Sequence, residues 1–456
     1  MDSVESPVRI NAGRPAKDGE YIVVHVVVQE TTKPLVGPQV LDHMQSQATT
    51  PGSSRPTRVI VLLLEPLRRV FKPEVKRAVR SLKARAPGVT VVLLPYVSRL
   101  TVAKNASFLA RLVKRWANGR PVVFHCRGER AVGWAHALSQ HFGHTGIIAD
   151  VRGPWPEELL FARSRQAFHS AQAANNRDYE HATRNLLAAL SLSQRAATVS
   201  DGMCEWLAAL GVAPTKLDCV PCCVRNVVYD EDAREQMRDR LGISRDLVLA
   251  YVGVVNRFQY LTEGLGEFVA LAMQGNPTVR FMAITPDQRD MSTLLRDAGV
   301  DLTRIFIFHL PQELVASHLM AADAGLILGK PGVLKSVVQP VKFGEYLAAG
   351  LPVIASRGSL GIDRLVTAYQ AGILVDYTKE NWSNDEVQRA LDTVSATRNT
   401  LRMGALALCR DHLLWERYAS AQREAYVDAL TMAKTRATCM RASGAAPADT
   451  LRCVMR

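Results

Sequence analysis

The sequence predicts an α/β protein made of two doubly wound, mostly parallel sheets facing a common cleft. Three observations predict it. Strand-sized apolar runs alternate with helical segments from residue 21 onwards, the pattern of parallel strands joined by crossovers. The alternation pauses at the charged stretch 227–241 and restarts at 247–252. At 456 residues the chain is also too long for one core and suggests two or three domains.

Residues 1–20 are polar and read as a flexible N-terminus. Residues 21–28, YIVVHVVV, form a first buried strand, 33–38 a loop punctuated by Pro and Gly, and 40–47 a short helix. After the turn-rich 48–56 comes a second strand, 58–64. The basic segment 73–85 carries Val75, Val79 and Leu82 at helical spacing, hence one buried stripe. Strands follow at 89–94, 121–125 and 146–151, with helices at 108–116 and 130–142 between them. A long helix at 171–191, strands at 196–199 and 217–220 and a helix at 202–210 complete a first domain over 21–226. A second domain, 242–395, takes strands at 247–252, 279–284, 305–308, 324–328 and 351–355. One helix over 401–433 and a polar tail over 434–456 close the chain.

An apolar fraction of 48% and a charged fraction of 22% are ordinary for a globular protein, and no apolar run is long enough to cross a bilayer. The first residues, MDSVESPVRI, lack the basic-then-apolar order of a secretory signal, so a cytoplasmic protein is expected. Its eight Cys then read as reduced thiols. Cys219, Cys222 and Cys223 have the spacing of a metal knuckle, but no second Cys or His pair lies at a matching distance, and no metal is expected. The formal net charge of +13 calls for an anionic partner. Much of it sits in 68–85 (Arg68, Arg69, Lys72, Lys76, Arg77, Arg80, Lys83, Arg85) and in Arg111, Lys114, Arg115 and Arg120. No nucleic-acid motif accompanies that charge, so an anionic membrane surface is the expected partner and nucleic acid is not; each cluster also reads as a solvated helix face.

In tandem doubly wound domains, ligands bind past the strand ends. The stretch 339–356, QPVKFGEYLAAGLPVIAS, is a short helix carrying Lys342 and Glu345, stopped by Gly350 and followed by a buried strand. Helix N–H groups attract phosphate, Lys342 adds a full charge and Glu345 can accept from sugar hydroxyls. The same residues also fit an ordinary amphipathic helix with a solvated Lys–Glu pair. Gly253, after the strand 247–252, lets backbone approach a phosphate, and Arg257 could grip it. Two cations from two strand-end loops match the charge of a pyrophosphate. In the first domain His125 and Arg127 end one strand, and Asp150 and Arg152 the next. A strand-end His is commonly structural, but unpaired charges are costly to bury, so these four are the candidate catalytic residues. Arg152 could pair with a carboxylate or with an anionic acceptor.

The order YVGVVNRFQ, HLPQELVASHLMAADAGLIL, PVKFGEYLAAGLPVIAS resembles the donor domain of GT-B glycosyltransferases, in particular the large retaining family 4. AATVSDGMCEWLAALGVAPTKLDCVPCCV is similar to that family's link between domains, FHCRGERAVGWAHAL and ADVRGPWPEE to acceptor-domain strand ends, and LLWERYASAQREAY to the helix that crosses back. The resemblance implies two Rossmann-like domains, the first on the acceptor side and the second binding a nucleoside diphosphate sugar. It implies that Arg257 and Lys342 hold the donor pyrophosphate, that Glu345 accepts from the ribose, and that His309 presents backbone to the base. The family's Glu-x7-Glu motif puts its first Glu at position 337, where this chain has Val337; Gly332, Ser336 and Gln339 would then serve the donor sugar. The implied activity is transfer of a sugar, with retention, to a glycan or lipid-linked saccharide, without cofactor or metal, in the cytoplasm or at the inner face of the membrane. Val337 also motivates an alternative, a sugar-nucleotide-binding partner of an assembly complex with weak or no catalysis.

Overall fold

The computed structural model describes residues 20–164, 177–255, 262, 264–377 and 381–443. Among these, the first sheet has seven strands: β1 Ile22–Val28, β2 Arg58–Pro66, β3 Thr90–Tyr96, β4 Val122–Arg127, β5 Thr145–Val151, β6 Arg195–Thr198 and β7 Leu217–Cys219, in the order β3-β2-β1-β4-β5-β6-β7. The second has six: β8 Leu247–Val252, β9 Val279–Ile284, β10 Ile305–Phe308, β11 Ala324–Ile327, β12 Val353–Ser356 and β13 Gly372–Val375, in the order β10-β9-β8-β11-β12-β13. All pairs are parallel. Central strands are covered by helices on both faces, which is why β1 is buried along its whole length and reads as an unbroken apolar run. Strand order reverses between β1 and β4 and again between β8 and β11, so each sheet has a switch point where crossovers diverge and leave a crevice.

The helix Pro73–Arg85 has the expected bounds: Pro at its first turn needs no N–H partner, and Val75, Val79 and Leu82 are its buried residues. Three expectations are corrected. The single helix over 401–433 is two helices, Asn384–His412 and Trp415–Ser443. The first packs Val387, Leu391, Ala405 and Leu408 into the second domain's cores, so it begins before the expected boundary at 395. The second lays Tyr426, Ala429 and Leu430 against the first domain. The break is forced by the passage between domains: Val224 donates to the Leu413 carbonyl (2.8 Å) and Trp415 donates to the Val224 carbonyl (3.1 Å), so outgoing and returning chain cross side by side. The tail expected over 434–456 is helical as far as Ser443. The strand β13 was not expected; its four residues are mostly half-buried at a sheet edge, too short a run to register as a pattern. The N-terminal residues 1–19 and the stretch 171–176 of the expected long helix lie outside the described residues.

Candidate functional site

Gly253 follows β8 at the switch point of the second sheet, with φ +139°. A β-carbon here would lie 3.1 Å from Lys342 Nζ, so the missing side chain leaves room for the lysine and for whatever the lysine binds. Lys342 stands in the first turn of the helix Val341–Ala348, only 6% exposed, with Nζ 3.8 Å from the centre of the Tyr251 ring and no hydrogen-bond partner. An ammonium over an aromatic face gains electrostatic attraction, but it keeps its donors empty. Burial pushes its pKa down to about 7 against the pull of Glu345. Burial pushes the Glu345 carboxyl up, while Gln312, whose Nε2 donates to Oε1 at 3.2 Å, works the other way. The pair expected from sequence is therefore a desolvated one, not a solvated helix face. His309 is exposed in the loop between β10 and the helix Gln312–Met320. Arg257 lies outside the described residues.

Lys335, which the sequence reading passed over, is 3% exposed and donates from Nζ to Ser356 Oγ (2.7 Å) at the end of β12. Burial lowers its pKa to about 8. The same hydroxyl bonds both backbone groups of Gly329 (3.0 and 2.8 Å), tying the loops after β11 and β12 together.

Val337 is 3% exposed and packs in the first domain's core, which also contains Met203. Its carbonyl accepts from Ser200 Oγ, and a β-carbon on Gly202 would stand 2.2 Å from the Ser336 carbonyl, so only glycine admits this contact. The segment carrying position 337 is thus an interdomain contact, and the valine is there because its surroundings are apolar. Ser336 Oγ donates to the Val333 carbonyl (2.9 Å) and Gln339 Oε1 accepts from Cys222 N–H (3.0 Å), so both expected sugar-holding side chains are engaged structurally.

In the first domain β4 and β5 pair Arg127 with Asp150. His125 and Asp150 are 0% and 1% exposed, beneath the returning helix Trp415–Ser443. His125 Nδ1 lies 3.0 Å from the Tyr426 hydroxyl, and Nε2 3.8 Å from Asp150 Oδ2. Arg152 Nε approaches Asp150 Oδ1 at 2.6 Å, and its guanidinium lies 5.6 Å from the Trp415 ring centre. Burial works to raise the Asp150 pKa, but Arg152 and His125 hold it well below the carboxylate range. His125 and Asp150 are fully covered and the guanidinium nitrogens of Arg152 are buried beside them, while Arg127 faces away from that pair. Arg127 pairs with Glu30 (2.8 Å). Two further carboxylates, Glu129 and Glu158, stand in the first turns of the helices after β4 and β5; burial, then Glu129, pushes Glu158 up to about 7. A cavity of about 480 Å³ opens past β1–β3, lined by Gln29, Arg68, Tyr96, Asn105, Arg130 and Trp134.

Residues 57–228 match the family described as Glycosyltransferase Family 4. No curated protein matches the chain in sequence. Among solved structures, Anabaena Alr3699/HepE in complex with UDP superposes over 93% of this chain and 100% of its own, with TM-score 0.57 and 11% identity. Sucrose-phosphate synthase from Thermosynechococcus elongatus does so over 93% and 100%, with TM-score 0.60 and 16% identity. An α,α-trehalose-phosphate synthase (UDP-forming) from Burkholderia vietnamiensis covers 89% and 100%, with TM-score 0.55 and 14% identity. At such identities the likeness speaks for the arrangement of two facing parallel-sheet domains, and the family match for the chemistry. The chain is a glycosyltransferase of the GT-B fold, with its Glycosyltransferase Family 4 match lying in the first domain.

Proposed function

We propose that the protein transfers a sugar from a nucleoside diphosphate sugar, with retention, to an acceptor hydroxyl on a glycan or lipid-linked saccharide. The observation that carries this is the Lys342 ammonium, buried and without a hydrogen-bond partner beside bare backbone at Gly253. As the glycosidic bond breaks, negative charge grows on the departing diphosphate, and a cation held ready in a dry crevice stabilises that charge without reorganising. Lys342 supplies it, with Arg257 expected beside it; Glu345 is offered to the ribose and His309 to the base. The reading assigns charge neutralisation to these side chains, not to a metal or cofactor. The acceptor is assigned to the first domain, with Arg127 held by Glu30 and Arg152 by Asp150. Because HepE is found with UDP and with UDP-glucose, uridine donors are the first to try.

The basic segments support work at an anionic membrane surface, on its inner face. Lys76, Arg77, Arg80 and Lys83 are exposed on the helix Pro73–Arg85 beside Phe71, itself 66% exposed; Arg111, Lys114 and Arg115 are exposed on the helix Val102–Ala117 with Phe108 at 64%. Cations interleaved with exposed aromatics suit a lipid headgroup layer. Among the described residues no helix is long and apolar enough to cross a membrane. A second reading, binding of a sugar nucleotide without turnover, is favoured by one observation: position 337 faces an apolar interface. Calorimetry and transfer assays with a panel of sugar nucleotides separate the two. Binding with turnover is expected; tight binding with no transfer or hydrolysis under any acceptor would select the second reading.

A further inference from the structure

The face of the first sheet beneath the returning helix contains more polar nitrogen than its partners account for. His25 on β1 and His125 on β4 are directly opposite in register, and their rings stack with centres 4.6 Å apart at 18°. His43, from the helix Asp42–Thr49, stands edge-on to both, at 6.3 and 5.2 Å. All three are fully buried, and one ring nitrogen from each lies within 4.8 Å of the other two. His25 Nδ1 and Nε2, His43 Nδ1 and His125 Nε2 have no hydrogen-bond partner. Neutral imidazole carries one N–H and one lone pair, so three such rings packed together in the interior leave either donors or lone pairs unanswered. Burying polar atoms in that state opposes folding, and native interiors rarely tolerate it without a bound water or ion.

The nitrogens on the far side are answered. His43 Nε2 meets Gln422 Oε1, and His125 Nδ1 meets the Tyr426 hydroxyl, both on the helix Trp415–Ser443. Gln422 Oε1 only accepts, so it fixes the proton on His43 Nε2 and leaves the Nδ1 lone pair free. An imidazole whose outer nitrogen is held by a second residue while its inner nitrogen is open is the arrangement that metal-bound histidines show. His43 is also pinned by its stack on Trp415, 4.4 Å between centres at 14°.

We propose that His25, His43 and His125 form a site for a first-row divalent cation, zinc foremost, built into the first domain. Three imidazoles suit zinc and its neighbours and not magnesium or calcium, which take oxygen. Zinc–nitrogen bonds of about 2.0–2.1 Å in tetrahedral geometry need the nitrogens about 3.4 Å apart with their in-plane lone pairs converging, so binding turns the stacked His25 and His125 rings out of their near-parallel arrangement. Asp150 Oδ2, without a hydrogen-bond partner and 3.8 Å from His125 Nε2, is the candidate fourth donor. The ion's role is structural. It joins β1, β4 and the helix Asp42–Thr49 into one unit, and Gln422 and Tyr426 then seat the returning helix on that unit. It lies in the other domain from Lys342 and Gly253, so donor binding does not depend on it.

The test begins with the unaltered full chain, purified without chelator or metal-affinity resin and assayed for bound metals by mass spectrometry. At least half an equivalent of zinc or a related ion per chain, resistant to EDTA in the folded state, is expected. Unfolding in EDTA and refolding with Co²⁺ is expected to produce visible ligand-field bands, and refolding without metal to lower the thermal midpoint by about 5 °C or more. His43→Gln and His125→Gln are expected to bring the metal below a tenth of an equivalent, while His309→Gln keeps it. The native-chain measurements stand even if those variants fail to fold. Less than half an equivalent, or zinc that EDTA strips at once without changing the midpoint, would overturn the site in favour of a hydrated histidine core. So would full metal content in folded His43→Gln.

Discussion

The two switch points of this molecule are built on the same topology and finished in opposite ways. At the second sheet, Lys342 is buried without a hydrogen-bond partner beside a glycine that leaves bare backbone next to its ammonium. At the first, the helix Trp415–Ser443 closes over the polar residues, and His25, His43 and His125 are sealed in with no exposure. Both contain buried polar groups without partners, which folding alone does not favour. The difference is in what lies against them: at the first a helix of the chain itself seals the polar groups, and at the second the ammonium lies against bare backbone at Gly253.

The largest effect should come from breaking the second-sheet side. Lys342→Met is expected to weaken nucleoside diphosphate binding about 100-fold, the scale of charge-assisted hydrogen bonds lost from a dry site, as read by calorimetry. The same change should stabilise the folded protein. The lysine's folded pKa, about 7, lies below its unfolded value, so the buried charge opposes folding most below pH 7 and the opposition fades as pH rises toward the unfolded value. Weaker binding together with higher stability, measured by denaturant titration at pH 6 and pH 9, would mark a residue kept for its ligand. A loss of both would make Lys342 a structural group and remove the contrast between the two switch points.

Val337→Glu sharpens the contrast from the interface between the domains. It puts a carboxylate into an apolar contact whose nearest polar atoms are already bonded, so a loss of about 2–4 kcal/mol is expected in chemical unfolding. Increased sugar transfer without loss of stability would instead mean that the segment turns this position toward the donor. Gly253→Ala should have a smaller effect. Its φ of +139° and the 3.1 Å approach to Lys342 Nζ predict about tenfold weaker nucleotide binding and about 1–2 kcal/mol lower stability.

The sequence made the strands legible because buried parallel strands are continuous apolar runs; β8, β9 and β10 have the expected bounds. It made Gly253 and Lys342 legible as candidates because the one follows a strand and the other stands in the first turn of a helix. What it hid was set by contacts between distant segments. Helical sequence runs through 401–433 without a local stop, and the break after His412 comes from pairing with Val224. The seating of Val337 depends on Gly202, 135 positions earlier, which no periodicity reveals. The helix Asp42–Thr49, DHMQSQAT, is mostly polar, yet Asp42, His43, Met44, Ser46 and Gln47 are buried, with His43 and Gln47 against Gln422 of the returning helix and Asp42 paired with Arg85. His25, in mid-strand, carries no sign of function until His125 and His43 stand beside it.

The account rests on a diphosphate meeting a lysine that is half deprotonated near neutral pH, and proton uptake on binding tests that most directly. Calorimetry of a nucleoside diphosphate between pH 7 and 9, in buffers of differing ionisation enthalpy, should show up to one proton taken up per ligand and an affinity falling toward tenfold per pH unit, with neither trend in Lys342→Met. Equal affinity across that range, with no proton exchanged and the variant binding as tightly as the native chain, would contradict it.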